Sequence, residues 1–86
     1  MTERTQMKEM LQKAEEVMEV AQKALEDSHR INEGDPMEYS NAQLELEHIS
    51  EDLDALMHAA TPEQRYELER TQQQIRQLQN NMILKQ

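Results

Sequence analysis

The sequence predicts an all-α protein, an antiparallel up-down-up three-helix bundle with coiled-coil-like heptad seams, and three observations predict it. Apolar residues return at alternating steps of three and four in each third of the chain, which aligns them along one side of an α-helix. Two proline-led starts, Asp35-Pro36 and Thr61-Pro62, divide the chain into three such stretches. With 36% hydrophobic residues, two Tyr and no Phe or Trp, the interior must be built of Leu, Met, Ile, Val and Ala, a set that suits helices better than sheets.

The middle stretch organises the others. Tyr39, Ala42, Leu46, Ile49, Leu53, Leu56 and Ala60 form one seam, and acidic residues occupy the remaining faces. The first helix is expected over about residues 2–32, with Met7, Leu11, Ala14, Met18, Ala21, Leu25 and Ser28 on its seam. A second row at Met10, Val17, Ala24 and Ile31 widens that stripe. Glu9 with Lys13, Glu19 with Lys23 and Glu26 with Arg30 stand four apart in the favourable order. His29 and Arg30 suit the negative end of the helix dipole, and Gly34, the only glycine, falls where a left-handed cap is wanted.

Asp35, Pro36, Met37 and Glu38 read as N-cap to N3 of a second helix, expected over 36–60. Thr61, Pro62, Glu63 and Gln64 repeat that grammar and open a third, expected over 62–84 with Leu68, Thr71, Ile75, Leu78 and Met82 on its seam. No glycine precedes this second junction, so a kinked continuation of the second helix stands as the alternative to a hairpin.

A mirror test favours the bundle. Antiparallel pairing of the first two seams matches Met7 with Ala60, Leu11 with Leu56, Ala14 with Leu53, Met18 with Ile49, Ala21 with Leu46, Leu25 with Ala42 and Ser28 with Tyr39. All these pairs share one mirror point, Glu33 and Gly34, where the cap was read independently. The second and third seams match likewise, Leu56 with Leu68 through Ala42 with Met82, about Pro62. Small residues then face large ones, as interdigitating layers require. The helices would span roughly 46, 38 and 35 Å, close enough to form one helical domain over residues 1–86.

Charge narrows the function. Eighteen acidic against nine basic side chains give a formal net charge of −9, which argues against binding nucleic acid or an anionic membrane through a basic surface and favours a basic protein partner. Between residues 35 and 60 there are seven Asp or Glu and no Lys or Arg. In the mirrored register Asp52 and Asp54 fall near Arg70, and Glu47 near Arg76. Glu38, Glu45 and Glu51 remain as an acidic partner-binding face, while Met82, Ile83 and Leu84 make an apolar end that a second copy of the chain would cover. The absence of cysteine removes disulfide frameworks and thiolate zinc sites. No stretch approaches the ~20 apolar residues of a membrane span, and Met1 to Met10 is polar where a signal peptide is apolar, so a cytoplasmic location is expected.

Chemistry is hard to place on such a chain. Glu26 with His29 and Glu45 with His48 form E-x-x-H steps, the unit of di-metal four-helix carboxylate proteins, yet His48 and Glu26 point away from their seams. His58 lies nearer its seam and is expected half-buried, as a partner for the helix C-terminus. No nucleophile has an apparent base and orienter, and no Gly-rich phosphate loop occurs. No cofactor, metal site or catalytic residue is expected, and the chain is read as a non-enzymatic adaptor, inhibitor or self-associating module. A metal-binding bundle and an acidic mimic of nucleic-acid charge are the alternatives.

Tyr39-Ser40-Asn41-Ala42-Gln43 before the Leu-rich helix, the break before Gln64-Arg65, and the ending Gln77-Leu78-Gln79-Asn80-Asn81-Met82-Ile83-Leu84 resemble the YtzC-like family of small uncharacterised helical proteins from bacilli. The likeness spans roughly residues 39–84 and leaves out the first helix. It implies a cytosolic bacterial protein of a family without assigned activity, cofactor or catalytic residues.

Overall fold

In each described helix, residues three or four apart share a face, and burying that face sets the architecture. The computed structural model describes residues 4–28 and 36–85, and these form three helices: α1 (Arg4–Ser28), α2 (Pro36–Met57) and α3 (Pro62–Lys85). All three pack on one another in a bundle of 47 × 20 × 14 Å, with α1 against α2 the most extensive contact and α1 against α3 the least. The inferred caps at Gly34 and Asp35, and the positions of His29, Arg30 and Ile31, lie outside the described residues.

The three seams meet as expected. Met7, Ala14, Ala21 and Leu25 of α1, Tyr39 through Leu56 of α2, and Leu68, Ile75, Leu78 and Met82 of α3 form one buried cluster, and Met10, Leu11, Val17 and Met18 pack on its margin. Ala14 and Ala21 are fully buried, and so are their expected partners Leu53 and Leu46. A methyl group on one helix opposite an isobutyl group on the next lets the α1 and α2 backbones approach without leaving a void. Replacing a side chain the size of Leu46 by Ala would remove about 2–5 kcal/mol in such a setting.

Helix α2 ends at Met57, three residues short of the expected Ala60, and the chain turns through His58 and Ala59. Ala59 N–H donates to Leu56 O at 3.1 Å and Ala60 N–H to Met57 O at 3.3 Å, so the last turn tightens before it stops. The capping box at Thr61 then forms as read: Gln64 N–H donates to Thr61 Oγ1 at 3.3 Å and Thr61 N–H to Gln64 Oε1 at 3.1 Å. These bonds, with α3 packed back on the core, make the junction a hairpin and not a kinked helix.

Two polar bonds hold α2 and α3 in register. Gln72, missed by the heptad reading, is buried one position beyond Thr71, and its Nε2 donates to Ser50 O at 3.0 Å. Thr71 is only partly buried and turns its hydroxyl to Glu67 O at 3.0 Å, the local bond by which a helix accommodates threonine. At the other end the Tyr39 hydroxyl donates to Met82 O, tying the start of α2 to the end of α3.

Burial holds the Tyr39 phenol above its ordinary value of 10.0, because the phenolate is poorly solvated there. The native state therefore keeps this proton more tightly than the unfolded chain. The stability this confers is intact below about pH 10 and is lost as the pH rises through the elevated value. Tyr39→Phe should cost about 1 kcal/mol at neutral pH in urea unfolding, and the gap from wild type should shrink above about pH 10. Ala21→Leu should cost about 1–3 kcal/mol by overpacking the α1–α2 contact.

Candidate functional site

The seam residues of α2 are spent on the core, so its acidic residues are turned outward. Glu38, Glu45, Glu47, Glu51, Asp52 and Asp54 are all exposed, and no Lys or Arg shares the helix with them. Glu38, Glu45 and Asp52 recur every seven residues and make one row, and Glu47 and Asp54 make a second on the other flank. Between the rows run Asn41, Leu44, His48, Glu51 and Ala55, all exposed. Of the expected site residues, Glu38, Glu45 and Glu51 thus stand on the surface of one helix.

The apolar end is smaller than expected. Met82 is fully buried, with its carbonyl taken by Tyr39, so it cannot serve as a contact residue. A methionine on the α3 seam is drawn inward by the same periodicity that buries Leu78. Ile83 and Leu84 do stand outside, 62% and 74% exposed.

His58 requires a second correction, because it is exposed and not half-buried. The residue that reaches the end of α2 is Arg65, whose Nη2 donates to Met57 O at 3.3 Å from the first turn of α3. A guanidinium there meets the carbonyls that an α-helix leaves unsatisfied and the negative end of its dipole. The cue was present in the sequence, since Arg65 follows the capping box directly, but its partner lies eight residues back across a turn whose shape the sequence did not specify.

The E-x-x-H step described in full, Glu45 with His48, lies on the surface. Glu45 and His48 are both exposed, Glu26 is exposed and accepts a bond from Gln22 Nε2 at 3.3 Å, and His29 lies outside the described residues. Among the described residues there is no group of three or more His, Asp or Glu placed to hold a metal ion.

Two open depressions adjoin along the line where α1 and α3 run parallel. Arg4 and Lys8 face Glu63 and Glu67 around Met7 and Leu11 in the first, while Arg70, Gln74 and Gln77 face Glu15, Glu19 and Gln22 around Met18 and Leu78 in the second. Their walls carry charges of both signs and side-chain amides, chemistry for contact and not for proton transfer or nucleophilic attack. No described helix is long and apolar enough to cross a membrane.

The family model described as "Protein of unknown function (DUF2524)" matches residues 1–84, and so takes in the first helix as well. The chain is also 33% identical over 84 residues to the uncharacterized protein YtzC of Bacillus subtilis (strain 168), covering 98% of this chain and 93% of that protein. No solved structure matches. If Glu45 and His48 are the surface pair the geometry makes them, equimolar zinc should leave the melting temperature of wild type and of the Glu45→Ala/His48→Ala variant unmoved in calorimetry.

Proposed function

We propose, for a chain that belongs to the DUF2524 family of proteins of unknown function, a non-enzymatic role as a small helical module that binds another protein. The single observation that carries this reading is the outward face of α2, where six carboxylates are exposed and no Lys or Arg on the helix neutralises them. The partner it suits is a basic protein surface, and the long-range field of the carboxylates would steer that surface into place before short-range contacts form. Helix-face recognition needs no cleft, and the two depressions described between α1 and α3 are open. The absence of a membrane-crossing helix among the described residues supports a cytoplasmic site of action.

Charge reversal tests the proposal on a residue pair that the fold does not use. Glu45→Lys/Glu51→Lys should keep the helical circular dichroism of the wild type, because both positions are exposed. Binding to a fluorescent Lys-rich amphipathic peptide, followed by anisotropy, should weaken about tenfold, which corresponds to about 1.4 kcal/mol. Its dependence on salt should flatten as well. An affinity and a salt slope that both match wild type would remove the steering role from α2.

A further inference from the structure

We propose that the face shared by α1 and α3 docks a second, inverted copy of this chain, so that α1 of each copy lies antiparallel on α1 of the other and α3 on α3. No residue of α2 lines the two depressions on that face, so the contact leaves the carboxylates of α2 free. Net charge narrows the choice of face. The chain carries −9, and α2 has carboxylates with no Lys or Arg, so a copy approaching α2 with its own α2 is repelled. The α1–α3 walls are close to balanced, with the cations Arg4, Lys8 and Arg70 against the carboxylates Glu15, Glu19, Glu63 and Glu67. Between the walls the surface is apolar, Leu11 and Met18 standing half-buried beside the buried Met7 and Leu78.

The order of the signs along each wall identifies the occupant. The α1 wall runs from Arg4 and Lys8 to Glu15 and Glu19, and the α3 wall runs from Glu63 and Glu67 to Arg70. Each wall is therefore complementary to an inverted copy of itself. Laid antiparallel, α1 on α1 sets Arg4 opposite Glu19 and Lys8 opposite Glu15, about a centre between Leu11 and Gln12. In the same way α3 on α3 sets Glu67 opposite Arg70 about a centre between Leu68 and Glu69, and Glu69 itself lines neither depression. The two centres stand level, because Leu11 and Leu68 are both matched to Leu56 in the mirrored seams. One two-fold axis across the groove at that height thus serves both helices, and such an interface is isologous and closes at two copies. A two-fold axis parallel to the helices would instead keep every height, setting Lys8 level with Arg65 and Glu15 with Gln72, out of step with the charges that line the groove. A partner surface of one sign meets repulsion along half of either wall.

This inference rests on none of the α2 carboxylates and is tested on the purified chain alone. Its failure would leave the basic-partner reading untouched, and the reverse also holds. Sedimentation velocity should give a dimer of wild type that weakens as salt rises. Wild type sedimenting as a monomer up to millimolar concentration would overturn the proposal. Glu15→Lys/Glu19→Lys changes two exposed residues and should weaken self-association at least tenfold with the helical circular dichroism unchanged. Undiminished association of that variant would count equally against it. The chain has no native cysteine, so single-cysteine variants report the axis directly. On gentle oxidation Gln12→Cys, beside the axis, should give mostly the disulfide dimer, whereas Glu26→Cys, exposed on α1 beyond the overlap, should stay monomeric by mass spectrometry. Gln12→Cys cross-linking no better than Glu26→Cys would overturn the antiparallel arrangement.

Discussion

Everything in this bundle depends on the close approach of α1 to α2 at Ala14 and Ala21. A chain of 86 residues without Phe or Trp has little apolar volume with which to exclude water, and short chains bury a smaller share of their surface than long ones. Placing two fully buried alanines opposite Leu46 and Leu53 brings two backbones together and lets modest side chains fill the space between them. The third helix then has a continuous apolar groove to close, and it does so with Leu68, Ile75, Leu78 and Met82. The same economy explains the surface. Because nearly every seam position is committed to the interior, what remains outside is dominated by carboxylates and amides.

The fold was legible because it rests on period and symmetry, which a sequence carries openly. The alternation of three and four located the buried set of α2 without error from Tyr39 to Leu56, and the second mirror point, Pro62, is the first residue of α3. What escaped were interactions whose geometry depends on a neighbour. Gln72 is buried because it leans toward α2 and finds Ser50 O, and nothing in its own helix marks it apart from Gln73 and Gln74. Arg65 and His58 exchanged roles for a similar reason: α2 stops at Met57, so the carbonyl that needs a donor faces α3.

The candidate site was legible only in outline. Composition showed that the second helix could not neutralise itself, and the structure adds which carboxylates share a row. Met82 shows where composition misleads, since three apolar residues at the end of a chain look alike until the helix turns one inward and leaves Ile83 and Leu84 outside.

The bonds described along the hairpin, Arg65 to Met57, Gln72 to Ser50 and Tyr39 to Met82, all belong to α2 and α3, whereas α1 meets them through methionine, alanine, leucine and valine. Apolar burial loses driving force on cooling, while hydrogen bonds do not weaken in the same way. Cooling therefore weakens the apolar seat of α1 more than the polar ties that join α2 to α3.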